Sequence, residues 1–170
     1  MNGILSFISK IDVVVAFIVK PIVIFLSAAV AFMMAYGVLT RSVMDQPVFG
    51  LEELVLMAAM WLYMLGAVLA SRERSHLTAD FVQVVCSNPT VIRFMHLVAT
   101  AISLFMAVMF STWAYDLMSW GIEKGQTTTV FHIPWYISQS SLFFASTLLV
   151  FYLIRDFFND LQKLRGVAVE

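Results

Sequence analysis

Four long intervals of the chain contain no Asp, Glu, Lys or Arg, and they dominate its hydrophobic pattern. A helix needs about 20 mostly apolar residues to cross the hydrocarbon core of a bilayer, and each charge near its centre costs roughly 2.5–3.5 kcal/mol. The charge-free intervals therefore predict four transmembrane helices in an all-α membrane protein. They cover approximately residues 22–40, 54–71, 94–115 and 134–154.

The stretch before the first interval, residues 1–19, carries an apolar stripe at three- and four-residue spacing. Two interpretations of it stay open. In one, residues 3–19 form a separate amphipathic helix along the membrane interface. In the other, residues 11–39 form one long tilted helix with a kink at Pro21, and Lys20 extends toward the headgroups. A cleaved signal peptide is not expected, because a full-length span follows without a compact apolar region and a cleavage site.

Lysine and arginine are divided unequally between the two sides of the predicted bundle. The N-terminal arm, the connection 72–93 and the C-terminal tail hold eight of them, whereas the other two connections hold only Arg41 and Lys124. Because cytoplasmic loops are enriched in these residues, both termini are expected in the cytoplasm. The connection 72–93 also contains an amphipathic segment at about 79–86, which predicts a second short interfacial helix.

Composition narrows the class of protein. Of the 170 residues, 61% are hydrophobic and only 12% are charged, about half the charged share of a soluble domain. Ten basic and eleven acidic residues, with no basic run, exclude nucleic acid as an expected partner. The single cysteine, Cys86, excludes an internal disulfide and a zinc site built on cysteines.

The sequence contains no motif typical of an enzyme or a cofactor site. It has no nucleophile elbow, no zinc-protease motif and no phosphate loop. Of the three histidines, His76 lies in a connection, His96 near the cytoplasmic end of the third span, and His132 on the other side. They cannot face one another at one depth as axial haem ligands do. No catalytic, cofactor-binding or metal-binding residue is predicted, and no cofactor.

The four spans also lack the ionisable residues and the paired broken helices that mark the substrate site of a carrier. A chain of this kind is typical of a subunit in a larger membrane complex. Two alternatives are kept beside that prediction: a small transporter that works alone and, less favoured, a membrane oxidoreductase subunit that holds haem. Uptake by the chain alone in liposomes, or a Soret band, would distinguish them.

A series of features between residues 38 and 136 resembles the small membrane subunit, the Q-type component, of tripartite ATP-independent periplasmic (TRAP) transporters. These features are, in chain order, Arg41, Pro47, the pair Glu52-Glu53, Trp61, Gly66-Ala67, Arg72 with His76, Gly125-Gln126-Thr127-Thr128 and Ile133-Pro134-Trp135. One position departs from the family pattern. A Trp often precedes the acidic pair in members of the family, whereas this chain has Phe49-Gly50-Leu51.

The resemblance implies a bacterial inner-membrane complex. In such a complex a periplasmic binding protein delivers an organic acid, for example sialic acid or a C4-dicarboxylate, and a large membrane subunit moves it. A sodium gradient drives uptake without ATP hydrolysis. The small subunit is then the fixed scaffold that anchors the large subunit in the phospholipid bilayer.

Candidate contacts with a partner subunit or with lipid follow from the matched positions. Arg41, Glu52 and Glu53 are expected to form an ionic cluster on the outer side, and Arg72 and His76 lie at the predicted cytoplasmic exit of the second helix. Trp61 lies roughly 12 Å along the helix from Glu53, too deep for a headgroup belt. It is expected to be a packing residue, within this chain or against another.

Overall fold

A computed structural model describes residues 2–45, 48–72 and 89–164. Four helices account for most of these residues, and each contains a stretch long and apolar enough to cross a membrane. The described ranges contain no β-strand, so the predicted all-α class with four spans is confirmed. The helices are α1 (Asn2–Met44), α2 (Leu51–Arg72), α3 (Pro89–Glu123) and α4 (Tyr136–Leu164).

The first helix is continuous over 43 residues and includes Pro21. Residues 3–19 are therefore the first part of α1 and not a separate helix, as the long-helix interpretation describes, although α1 begins and ends well beyond 11–39. Proline is tolerated inside a membrane helix because neighbouring groups satisfy the backbone carbonyl that it frees. The second predicted interfacial helix, at 79–86, lies outside the described residues.

The helices pack in a defined order, with α4 and α2 in the middle. The α3–α4 interface is the most extensive, α4 also packs on α2, and α2 packs on α1. The buried centre consists of Val68 of α2 with Ala145 and Tyr152 of α4, and Val15 of α1 packs against it. The outer helices α1 and α3 therefore leave broad apolar faces open to the membrane or to a partner.

Two short connections join the helices at one end of the bundle. Between α1 and α2, Gly50 adopts φ +83° and makes the turn into the second helix. Between α3 and α4, an isolated bridge pairs Thr127 with Pro134, and the Thr128 amide donates to the carbonyl of Ile133 at 2.9 Å. We call this side of the bundle the Glu53 end, and the opposite side the Arg72 end.

Two ion pairs connect α1 to α2, one near each end of α2. The segment of α1 between the two pairs is longer than the corresponding segment of α2. Ion pairs connect Asp12 to Arg72 and Arg41 to Glu52. The helix axis between these pairs measures about 44 Å on α1 and about 30 Å on α2. The first helix must therefore incline or bend against α2. A groove of about 870 Å³ opens between them toward the Glu53 end, lined mainly by apolar side chains that include Met33, Gly37, Val38, Val55, Ala59 and Tyr63.

Candidate functional site

A group of four charged side chains, Asp12, Arg72, Arg155 and Asp156, connects three helices at the Arg72 end; we call it the four-charge cluster. Arg72, the last residue of α2, donates from Nε to Asp12 Oδ1 at 2.7 Å and from Nη2 to Oδ2 at 3.1 Å. The two side chains are only 25% and 16% exposed. Bidentate, charge-assisted hydrogen bonds of this kind fix the orientation of the two side chains as well as their distance.

Arg155 of α4 completes this cluster. Its Nη1 lies 3.9 Å from Asp12 Oδ1, and its Nη2 donates to the main-chain carbonyl of Arg72 at 3.2 Å. Its Nε donates to the buried carboxylate of Asp156 at 2.9 Å, and its guanidinium lies 5.0 Å from the centre of the Tyr152 ring. Two arginines and two aspartates balance in charge, which a partly buried ionic group requires.

A separate polar contact attaches α3 at the same end. The hydroxyl of Thr100 donates to Asp160 Oδ2 at 2.8 Å, and both residues are buried. The same hydroxyl oxygen lies 2.9 Å from the carbonyl oxygen of His96, one turn earlier in α3. Together with the four-charge cluster, this contact links all four helices at the Arg72 end.

The carboxylate of Glu53 holds the connection between α3 and α4. Its Oε1 accepts hydrogen bonds from the Thr129 hydroxyl at 2.9 Å and from the Val130 amide at 2.8 Å, and its Oε2 accepts from the Phe131 amide at 3.2 Å. The Phe131 ring lies against Gly50, where any larger residue would collide with it. Glu53 therefore binds α2 to a loop more than 70 positions later in the chain.

The neighbouring acid, Glu52, forms a different contact. Its Oε1 lies 3.5 Å from Nη2 of Arg41, and the two side chains are 90% and 70% exposed. An exposed pair of this kind contributes little to stability. The three residues predicted as one ionic cluster are thus divided, because Glu53 binds the loop while Arg41 and Glu52 pair at the mouth of the apolar groove.

Trp61 packs within this chain. Its indole Nε1 donates to the carbonyl of Ile137 in α4 at 3.1 Å, and its ring stacks on Phe144 at 6.3 Å between centroids with an angle of 30°. The tryptophan therefore joins α2 to α4 at a half-buried position. Arg72 lies in the four-charge cluster, and His76 lies outside the described residues.

Sequence reasoning missed the partners of Arg72. Asp12 lies within the apolar stripe of residues 1–19, and Arg155 is one of the eight basic residues counted on the predicted cytoplasmic side. One signal was available: an acid before the first span and bases after the second and fourth spans fall on the same predicted side of the membrane. Opposite charges that flank neighbouring spans on one side are natural candidates for pairing.

No catalytic or cofactor chemistry is assigned to these groups. Among residues 2–45, 48–72 and 89–164, no three His, Cys, Asp or Glu side chains come together in a way that could hold a metal ion. The charges of the four-charge cluster are engaged with each other or with the backbone. The arrangement joins helices to one another, which is a structural function.

Comparison with known families identifies the type of protein. The sequence model described as "Tripartite ATP-independent periplasmic transporters, DctQ component" matches residues 30–163. The match includes the Arg41–Glu52 pair, the Glu53 contacts and Arg155, and it leaves out the first part of α1 with Asp12. No curated protein and no solved structure matches the chain.

Proposed function

The chain belongs to the DctQ component family of tripartite ATP-independent periplasmic transporters, and on that premise we propose that it is the static scaffold that anchors the large membrane subunit. A member of this family is a multi-pass inner-membrane component of a transporter and not an enzyme. It acts in a tripartite complex with a large membrane subunit and a periplasmic binding protein.

The observation that carries the scaffold proposal is the connection of the bundle at both ends. At one end the four-charge cluster links α1, α2 and α4. At the other end Glu53 holds the α3–α4 connection against the start of α2. Sliding one of these helices past another would separate buried charges, and exposing or isolating one partner of a buried pair costs about 3–5 kcal/mol. The bundle is therefore suited to remain fixed while a partner moves.

The groove between α1 and α2 is the proposed docking site of the large subunit. Its lining is almost entirely apolar, and its volume of about 870 Å³ leaves space for side chains of a neighbouring transmembrane helix. The surrounding surface of α1 is also open, since Phe25 is 72% and Phe32 is 74% exposed. Association of helices in a membrane depends on close packing, for which a preformed groove is favourable.

Substrate and ion are proposed to bind to the other components. The carboxylates of Asp12 and Asp156 at the Arg72 end are engaged by arginines and so are poorly placed to receive a sodium ion. We infer that a sodium gradient drives uptake of an organic acid such as sialic acid or a C4-dicarboxylate. Both termini of this chain are proposed to face the cytoplasm, in accord with the distribution of Lys and Arg.

A matched pair of substitutions tests the anchoring role. Val38 lines the groove and is 67% exposed, and Val38→Trp fills the groove without touching the ion pairs. Val108 on α3 is 44% exposed and lies away from the groove, so Val108→Trp is the control. We expect the large subunit to be lost from detergent extracts with Val38→Trp and retained with Val108→Trp. Equal retention would contradict the proposed docking site.

Uptake measurements test the remainder of the proposal. The three components are reconstituted in liposomes with a labelled sialic acid or dicarboxylate, with and without an inward sodium gradient. Uptake is expected only with all components and the gradient present. Uptake by this chain alone would support the stand-alone transporter instead, and sodium-independent uptake would remove the ion coupling while leaving the scaffold role intact.

A further inference from the structure

Lys20 is an exposed cation inside the long apolar helix α1. It lies eight residues beyond Asp12, roughly 12 Å along the helix axis, and the next twenty residues of α1 are uncharged. No carboxylate among the described residues lies within ion-pair distance of its ammonium group. A charge in this position is costly to leave facing hydrocarbon, so the ammonium group is expected to meet a counter-charge at the headgroup level.

The surroundings of Lys20 indicate the chemistry of that counter-charge. Lys20 and Arg72 line one shallow groove of about 550 Å³ beside α1. The remaining lining is apolar and comes from α1: Val13, Ala16, Phe17 and Pro21. Arg72 is the last residue of α2, so the charged part of the groove lies beside a helix end. The groove thus places the positive charges of Lys20 and Arg72 beside an apolar surface of α1.

We propose that this groove binds an anionic phospholipid, whose phosphate contacts the Lys20 ammonium near Arg72 and whose acyl chain lies over Phe17 and its apolar neighbours. Basic pockets beside membrane helices are suited to phospholipid headgroups. Asp12 already neutralises Arg72, so the net positive charge of the groove comes from Lys20 and matches a lipid with one net negative charge. The inference rests on the membrane location of the chain and not on its role as a scaffold.

A carboxylate supplied by the large subunit is the competing occupant. The groove favours lipid because it is shallow and its charged part adjoins a helix end, where headgroups lie. A buried carboxylate from another helix would instead require a close protein contact around Lys20. The Phe17 ring, which lines the groove with Lys20, is 81% exposed and leaves apolar surface free for an acyl chain.

The test compares lipid retention by the full chain and two glutamine variants. Wild type, Lys20→Gln and Lys124→Gln are purified from the same membranes in mild detergent, and bound phosphatidylglycerol per chain is measured by mass spectrometry. Lys124 is an exposed lysine at the Glu53 end and serves as the control. Loss of one lysine–phosphate contact is expected to reduce retained phosphatidylglycerol about fivefold in Lys20→Gln and to leave Lys124→Gln at the wild-type level.

A second measurement adds lipid to the purified variants and follows the unfolding temperature, so it does not depend on how much lipid was lost during purification. Phosphatidylglycerol in mixed micelles is expected to raise the unfolding temperature of wild type and of Lys20→Arg more than phosphatidylcholine does, with no such difference for Lys20→Gln. Equal lipid retention and equal stabilisation in all variants would overturn the proposal. Unchanged lipid together with loss of the large subunit from Lys20→Gln would also overturn it and assign the counter-charge to that subunit.

Discussion

Arg72 and Asp12, 60 positions apart in the chain, form a bidentate ion pair. The Nε–Oδ1 distance is 2.7 Å and the Nη2–Oδ2 distance is 3.1 Å. The pair joins the last residue of α2 to the first part of α1, and Arg155 of α4 adds a second positive charge 3.9 Å from the same carboxylate. Because both hydrogen bonds must form at once, this contact sets how far α1 is shifted along α2.

The first prediction concerns Asp12 itself. Asp12→Asn removes the counter-charge of two arginines that are largely screened from solvent, so the free energy of unfolding is expected to fall by about 3 kcal/mol. Asp45→Asn is the control, because Asp45 is exposed and asparagine accepts its φ of 50°. Unfolding by a denaturing detergent, followed by circular dichroism, measures both. Similar midpoints for the two variants would show that the four-charge cluster contributes little.

The second prediction uses two adjacent acids. Glu53→Gln replaces Oε2, which accepts from the Phe131 amide, with a group that can only donate, whereas Glu52→Gln alters an exposed and long ion pair. Hydrogen exchange of the Val130 and Phe131 amides is expected to accelerate in Glu53→Gln and to stay at the wild-type rate in Glu52→Gln. Exchange measured by mass spectrometry on peptides from the α3–α4 connection decides this. Acceleration in both variants would assign the effect to loss of general negative charge.

Two glycines provide the third prediction. Gly50 has φ +83°, and an added Cβ would collide with the Phe131 ring, so Gly50→Ala is expected to lower the free energy of unfolding by about 1–2 kcal/mol. Gly66 lies inside α2 with open space where a Cβ would project, so Gly66→Ala is expected to raise it by about 0.5–1 kcal/mol. Opposite signs in one unfolding assay confirm the prediction, and a stabilised Gly50→Ala contradicts it.

The fourth prediction tests the attachment of α3. Thr100→Val keeps the shape of a buried side chain but removes the hydrogen bond to Asp160, and a loss of about 1 kcal/mol is expected. Thr112→Val is the matched control, because the Thr112 hydroxyl is exposed and bonds only to its own helix at the Met109 carbonyl. Thermal unfolding in the same detergent compares the two. A larger loss for Thr112→Val would contradict the interhelical role of Thr100.

The charge-free intervals located all four helices because the bilayer core excludes charge, and this requirement is visible in one sequence. The predicted spans do not give the helix ends. The third helix extends to Glu123, beyond the predicted end at residue 115, because a helix continues after it leaves the apolar layer and there tolerates charged residues such as Asp116. Hydrophobicity reports the part of a helix that crosses the membrane, and not where the helix begins or ends.

The candidate site was predictable only in part, because a sequence pattern selects residues but does not show which helices are neighbours. Glu53 and Arg72 were selected from the family pattern at helix ends, but their partners depend on which helices are neighbours in space. The α3–α4 connection reaches Glu53 through backbone amides of Val130 and Phe131, which no side-chain pattern reveals. For Trp61 the sequence leaves open whether it packs within this chain or against another, and the structure shows a hydrogen bond to Ile137 of α4.

The order of the charges in the four-charge cluster also has a consequence for biosynthesis. Asp12 finds its closest partner, Arg72, at the end of the next helix to be synthesised, so the α1–α2 hairpin can enter the bilayer with that pair already neutralised. Arg155 and Asp156 are neighbours in the chain and are paired at 2.9 Å, so α4 brings its own balancing charge when it arrives last. Each newly translated unit thus reaches the insertion machinery without an unpaired charge from this cluster, and α4 joins an α1–α2 hairpin whose own pair is already formed.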